Sequence, residues 1–304
     1  MTRRGWLLFV TLSLCWGIPY LFIRIAVTEL DPVVVAFGRT ALGALLLLPF
    51  ALRSKALVPL RAHWRWLLIY TVLEIVGPWV LLGHAETRLS SSTTGLLIAM
   101  VPIVAAVIVT VTGQDRLGPR RVAGLLIGLG GVALLVGLDV HADDLVAILQ
   151  ILGVVIGYAI GPIIISRQLA DMPPLGVITA SLLIAAVVYA PFAVVLRPAT
   201  VSPAAIGSVV VLAVICTAVA FLVMFALIAE AGPARMTLIT YVNPAVAIGL
   251  GALVLDEPIT TGLLLGFPLI IVGSILGTWR STPPEATGLD PRVVRTPRSD
   301  PLQG

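Results

Sequence analysis

Charge is what this 304-residue sequence has least of. Only 11% of its residues are Asp, Glu, Lys or Arg and 59% are hydrophobic, against about 25% and about 45–50% in soluble domains. No soluble core absorbs that much apolar surface, so an ordinary soluble protein is excluded and the chain is expected to be integral to a lipid bilayer. Lysine occurs once, at Lys55 in FALRSKALV, with no glycine-rich approach, which removes the phosphate-binding loop that a nucleotide-driven pump needs. The three histidines, His63, His84 and His141, are scattered and no HExxH is present, so a metal-dependent enzyme has no ligand set; no metal and no cofactor are expected. The two cysteines, Cys15 and Cys216, both fall inside apolar runs, where small hydrophobic packing is expected rather than a disulfide. A net charge of +4 does not imply nucleic acid, because the basic residues lie at the ends of apolar segments and not on one basic face.

What the chain does have is long apolar runs. A bilayer-spanning helix needs about 17–25 such residues, and ten runs qualify: 6–28, 32–52, 64–83, 89–112, 119–138, 144–166, 174–196, 205–229, 233–255 and 261–280. The N-terminal MTRRGWLLFVTLSLCWG imitates a signal peptide, but no small-x-small cleavage site follows and the run continues past Tyr20, so it reads as a retained first span. The loops, sorted into two alternating sets, hold fifteen Lys and Arg on the N-terminal side against two, Arg88 and Arg197, on the other. That bias places both termini in the cytoplasm.

Sliding the chain against itself by 142 residues lays Pro32 on Pro174, Pro102 on Pro244, Val104 on Val246, Ala105 on Ala247, Gly124 on Gly266 and Gly131 on Gly273. One ungapped offset over five spans in each half marks an internal duplication. Five is an odd number, so the second copy enters the membrane from the opposite side, the inverted repeat of many secondary transporters. The expected fold is an all-α membrane protein with ten transmembrane helices as two inverted five-helix repeats, residues 1–142 and 143–284. A Pro-rich, charged tail over 285–304 is expected to be disordered and cytoplasmic.

Several elements together resemble a known family: Trp16-Gly17, Pro32 with Arg39, the mid-span prolines Pro102 and Pro244, the loops GQDRL (113–117) and LDEPIT (255–260), and the glycine-spaced GLLIGLGGVALL and GFPLIIVGSILG. The order of these motifs over residues 5–280 is similar to that of the EamA-like families of the drug/metabolite transporter superfamily. The resemblance implies a secondary carrier that exports small metabolites, amino acids or drug-like compounds from a bacterial inner membrane through a cavity between the repeats. Two positions depart from the family pattern: Asp115 stands where Glu is usual, and Arg39 has no basic counterpart in the second half.

Glu74, in YTVLEIVGPWV, lies ten residues into span 3, about 15 Å deep at 1.5 Å per residue. A charge there costs at least about 2.5–3.5 kcal/mol, so the carboxylate should face a cavity or a partner, or be protonated. It is either a substrate or proton site or a structural acid paired with an arginine. Arg39, seven residues into span 2 from the opposite side, is either that partner or a receptor for a substrate carboxylate. Adding 142 to Glu74 gives Cys216, and adding 142 to Arg39 gives Ser181; the charges belong to one repeat only. Arg24, near the end of span 1, is expected to snorkel to the interface. Trp16, Trp79 and Tyr158 lie inside spans and not in the aromatic belts, as cavity lining or packing. Tyr241 and Asn243 precede Pro244, and the prolines at 102 and 244 are read as helix breaks that hinge movement or kink the helix. Asp115 and Glu257 occupy equivalent loops on opposite faces, where helix-end capping or gating is expected. GLLIG (124–128), GVVIG (153–157), GYAIG (157–161), GLLLG (262–266) and GSILG (273–277) are surfaces for close helix packing.

The expected function is secondary active export of a small polar metabolite such as an amino acid by alternating access, with the bilayer, a small-molecule substrate and protons as partners. The alternatives left open are a drug-like or other metabolite as cargo, a channel, and a membrane-embedded enzyme.

Overall fold

The computed structural model describes residues 2–112, 118–139, 144–232 and 238–278, and all regular structure among them is helical. Eight helices are long and apolar enough to cross a membrane: α1 (Arg3–Ala26), α2 (Pro32–Arg53), α3 (Pro59–Glu86), α4 (Ser91–Val111), α5 (Pro119–Leu138), α6 (Leu145–Gln168), α7 (Pro174–Leu196) and α8 (Pro203–Ala231). Two shorter apolar helices follow, α9 (Ile239–Val254) and α10 (Thr261–Gly277). Asp115 and the tail 285–304 lie outside the described residues.

Helix starts follow local chemistry. Proline occupies the first turn of α2, α3, α7 and α8, where a missing N–H costs nothing. Thr2, Asp31, Ser90 and Ser202 cap α1, α2, α4 and α8 through their side-chain oxygens. Apolar side chains such as Leu45, Val187, Val195 and Leu253 are exposed on the outer surface, the face a lipid-embedded bundle presents to acyl chains.

Most large helix contacts join one half of the chain to the other. α2 packs on α7, α4 on α9 and α5 on α10, while α3 packs on α6 and α8 on α1. Shifting α1, α2, α3, α4 and α5 by 142 residues gives α6, α7, α8, α9 and α10, so these pairs map onto one another, as a two-fold relation between halves requires. The tightest pair is α5 with α10. A methyl group added at Gly131 would stand 2.8 Å from Leu269 Cβ and 2.9 Å from Ile270 N, and one at Gly124 2.7 Å from Leu276 Cβ. Without side chains at these positions the two backbones touch, which is how helices associate in lipid, where no hydrophobic drive separates helix from acyl chain.

Two breaks interrupt the described spans. α1 breaks at Ile18, between Gly17 and Pro19. α4 breaks at Ala99–Met100, just before Pro102. The expected break at Pro244 is not present: α9 runs unbroken from Ile239 to Val254. Pro244 is the sixth residue of that helix, and the first four N–H groups of any helix lack intrahelical acceptors, so the proline removes one bond just beyond the first turn. The third span is also longer than its apolar run suggested, ending at Glu86 instead of 83.

The irregularity that sequence gave no sign of is a pair of π-helical turns, Val72–Val76 in α3 and Val214–Val219 in α8. Adding 142 to the first start gives the second. In α3 a cause lies in the sequence: Pro78 has no N–H to donate to the Glu74 carbonyl four residues earlier. In α8 there is no proline at the equivalent position; Thr217 Oγ1 instead donates to the Leu212 carbonyl five residues back at 2.8 Å, and Arg39 supports the same turn. Turns of this kind are frequent at functional sites.

Candidate functional site

The two π turns frame a polar centre in a hydrophobic cluster built by α2, α3, α7 and α8, with Ala36, Ala44, Leu47, Ile75, Trp79, Leu182, Tyr189 and Ala218 among its members. Arg39 of α2 is 8% exposed. Its Nε donates to Thr217 Oγ1 at 2.9 Å and its Nη2 to the Cys216 carbonyl at 3.4 Å. Its guanidinium carbon lies 3.7 Å from the centroid of the Trp79 ring, a cation–π contact worth about 2 kcal/mol when desolvated. Arg39 and Glu74 form no ion pair; the ion pairs among described residues are Arg4–Glu230 and Arg88–Asp144. The guanidinium is therefore held by neutral groups alone.

Glu74 occupies the π turn of α3. Its Oε2 is buried without a hydrogen-bond partner, while the residue as a whole keeps accessible surface. Its neighbour is the GYAIG face of α6. A side chain at Gly161 would collide with the Glu74 carboxylate, and one at Gly157 with the Leu73 carbonyl and Pro78, so these two glycines make the room in which the irregular turn and its acid fit. Tyr189 of α7 closes the other side, donating from its hydroxyl to the carbonyls of Ile75 (3.2 Å) and Val76 (2.8 Å). Thr71 Oγ1 donates to Ser181 Oγ at 2.8 Å. The relation between the halves appears again here: Arg39 reaches the π turn of α8, and Ser181, its equivalent by the 142 offset, reaches the residue before the π turn of α3.

Tyr158 of α6 packs against two core clusters and lies within electrostatic reach of both Glu74 and Arg39. Trp16 meets Phe221 edge-on at 6.0 Å, and Phe221 lies 6.4 Å from Phe225, so this tryptophan belongs to the α1–α8 contact. Tyr241 Oη donates to the Ser274 carbonyl at 3.4 Å. With its amide nitrogen toward two carbonyls, Asn243 donates to Ile239 (3.1 Å) and Ser13 (3.2 Å), joining α9 to α1. Arg39, Trp79, Tyr158 and Glu74 are thus gathered around one region; Trp16, Tyr241 and Asn243 tie α1, α8, α9 and α10 together.

Glu257, in the loop before α10, reaches across to α4. Its Oε1 accepts from Ser91 N at 2.8 Å, and its Oε2 from Ser92 N at 3.0 Å and Ser92 Oγ at 2.5 Å. Thr93 N donates to Ser90 Oγ and Thr94 N makes the first intrahelical bond, to the Ser90 carbonyl, so the N–H groups of Ser91 through Thr94 are all satisfied. A carboxylate at this positive end is also favoured by the helix dipole. Arg24 Nη1 donates to the main-chain carbonyl of Glu86, which ends α3 and has no helical donor. An open concavity of 430 Å³ lined by His63, Trp64, Arg65, Trp66 and Gln168 lies at the ends of α3 and α6, away from Arg39 and Glu74.

Comparison with known proteins decides the family. The model of the EamA-like transporter family matches residues 3–137 and again 145–279. The chain belongs to the EamA-like transporter family. The twofold match agrees with the internal duplication, and this EamA-like chain is a multi-pass membrane transporter. It is 25% identical over 295 residues to the uncharacterized transporter YvbV of Bacillus subtilis, covering 93% of this chain and 94% of that one. It is 29% identical over 274 residues to the uncharacterized inner membrane transporter YedA of Escherichia coli K12, covering 88% of each. A solved crystal structure aligns with a TM-score of 0.66 at 20% identity, covering 91% of this chain and 98% of the other, which shows a shared fold.

Glu86, Thr217 and Tyr189 were not among the residues singled out from the sequence. Thr217 and Tyr189 carry no sequence signal, since each acts through a partner over 100 residues away. Glu86 falls between the apolar runs 64–83 and 89–112, where a loop is expected, yet Glu86 and Ser91 through Thr94 are all buried.

Proposed function

We propose that this EamA-like transporter is a secondary carrier that exports a small polar metabolite, with amino acids as the leading class, across the cytoplasmic membrane. Ten spans in two inverted repeats, with both termini cytoplasmic, alternate access to a site between the halves. The orientation is supported by the fifteen-to-two bias of loop Lys and Arg. The observation that carries the reading is Arg39: a buried guanidinium on an aromatic face with no carboxylate paired to it. A buried charge without a counter-charge is costly, and a substrate carboxylate supplies one. Glu74, with an unbonded oxygen and within electrostatic reach of Tyr158, suits the amino group or a coupling proton. The aromatic group Trp16, Phe221 and Phe225 favours, as a second reading, a larger aromatic or drug-like cargo.

The test is counterflow in proteoliposomes with a panel of labelled amino acids. A carrier gives saturable flux and counterflow. Arg39→Lys keeps the charge but loses the planar stacking and forked donors, so its KM is expected to rise at least about tenfold, the equivalent of one 1.4 kcal/mol contact. Glu74→Gln should abolish or flatten the pH dependence of flux. Linear flux without counterflow overturns the carrier reading in favour of a channel, and unchanged kinetics in both variants remove these residues from the site.

A further inference from the structure

The 430 Å³ concavity where α3 starts and α6 ends is lined by Ala62, His63, Trp64, Arg65, Trp66 and Gln168. No carboxylate lines it, and its side chains are rich in donors: the Arg65 guanidinium and the indole N–H groups of Trp64 and Trp66 only donate, and the Gln168 amide offers two more N–H groups. His63 Nδ1 is buried without a hydrogen-bond partner. The Arg65 guanidinium carbon lies 5.5 Å from the centroid of the Trp64 ring, close enough for the aromatic face to steady the charge. Arg61 stands one turn before Arg65, Arg167 precedes Gln168, and Asp171 is the one acid in the loop 169–173. The ion pairs among described residues are Arg4–Glu230 and Arg88–Asp144, so these three arginines have no carboxylate partner among them.

The depth of the concavity in the bilayer follows from its own residues. Trp64 and Trp66 are 53% and 39% exposed at the end of a span, and exposed indoles at span ends sit at the level of the lipid headgroups. From Arg65 the exposed Leu68, Ile69 and Val72 continue along α3, at the i, i+3, i+4 and i+7 spacing of one helix face. Ile165 is exposed one turn before Gln168 on α6. Leu60, Leu67, Ile164 and Leu169, interleaved with the lining residues, form one buried cluster, so the two helices that wall the concavity are packed together. A donor-lined hollow at headgroup depth, continued by an apolar strip, has the chemistry of a phosphate carried on acyl chains.

We infer that this concavity is a binding site for the phosphate headgroup of an anionic phospholipid, held by Arg65, His63 and Gln168, with its acyl chains along Leu68, Ile69 and Val72. The forked donors of an arginine match two phosphate oxygens at once, and basic pockets between transmembrane helices suit anionic headgroups. A free phosphate offers the same anion but leaves the apolar strip uncovered, which favours the lipid. The inference rests on the chain lying in a bilayer and not on the carrier reading.

The experiment uses the full chain in neutral detergent and reads the thermal unfolding midpoint during titration with phosphatidylglycerol, with phosphatidylcholine, or with inorganic phosphate exchanged for chloride at constant ionic strength. A ligand that binds the folded state raises the midpoint with its concentration, so phosphatidylglycerol should raise it well beyond phosphatidylcholine. Arg65→Gln should weaken the apparent affinity for phosphatidylglycerol about fivefold, what one arginine contributes beside an anionic membrane surface. Arg65→Lys should fall between, since it keeps the charge and loses the fork. Arg53→Gln, at an exposed position at the end of α2 and outside the concavity, should bind as the unaltered chain does. Equal effects of the two lipids overturn the site. A rise with inorganic phosphate alone overturns the lipid as its occupant. An affinity that survives Arg65→Gln, or that Arg53→Gln weakens as much, also overturns it, because a diffuse surface charge would behave so. Should Arg65→Gln fail to fold, His63→Ala with Gln168→Ala takes its place under the same outcomes.

Discussion

Removing the Glu257 side chain tests whether one loop acid holds the two halves of the molecule together. Glu257→Ala takes away three hydrogen bonds, at 2.8, 3.0 and 2.5 Å, from the first turn of α4. Hydrogen bonds to a charged group contribute about 1.5–3 kcal/mol each, but these three share one carboxylate and end one helix, so they do not add. Loss of a cap costs about 0.5–2 kcal/mol and loss of the negative charge at the helix start about 0.3–1 kcal/mol. The sum is about 0.8–3 kcal/mol, or a fall in unfolding midpoint of about 1–5 °C for a chain this large. The assay is thermal unfolding in nanodiscs, with Glu257→Gln as the intermediate case, since an amide keeps the shape and one acceptor without the charge. Glu230→Ala serves as the control: Glu230 accepts from Thr2 Oγ1 at 2.6 Å and faces Arg4 at 3.9 Å, with the Arg4 side chain 74% exposed, and such pairs contribute about 0–1 kcal/mol. The reasoning is refuted if Glu257→Ala loses no more than Glu230→Ala, or if the glutamine variant is as unstable as the alanine one.

Other expectations follow from the same geometry. Gly131→Ala should cost about 1–3 kcal/mol by forcing α5 from α10, whereas Gly130→Ala, with nothing within 4 Å, should be neutral or stabilising by about 0.5–1 kcal/mol; equal effects on the unfolding midpoint would refute the backbone contact. Tyr189→Phe frees two carbonyls of the α3 π turn and should cost about 1 kcal/mol, read by the same midpoint. Outside the spans, Glu29 Oε2 accepts from Ser202 N at 2.8 Å, and hydrogen bonding from Ser202 holds its carboxyl below the usual carboxylate range. That contact contributes above the ordinary carboxylate pKa and is lost as pH falls through the lowered value, so Glu29→Gln should show a shallower loss of midpoint on acidification.

The spans were legible because lipid imposes long apolar runs, and so were the glycine-spaced faces of α5 and α10, though not that these two faces pair with each other. Buried positions at span ends were not. Glu86 looked like loop, yet it is buried where α1, α3 and α4 meet, with Arg24 of α1 reaching its carbonyl from 62 residues away. The π turns were hidden for a different reason: one lies just before a proline and the other is held by a threonine and a distant arginine, so two halves with one backbone share no local sequence cause. Pro102 and Pro244 show the converse, one residue type at equivalent positions with unlike outcomes, because the break depends on where the helix begins.

The pairing of α5 with α10 also sets an order of events. α5 is complete before any of α6–α10 has been made, yet Gly124 and Gly131 find their close partner in α10, the last of the described helices, while Gly128 also meets Ile103 of α4. Until then Gly124 and Gly131 lack the backbone that fits them. A chain halted after any intermediate loop keeps that seam open, so commitment to the native bundle waits for its final helix.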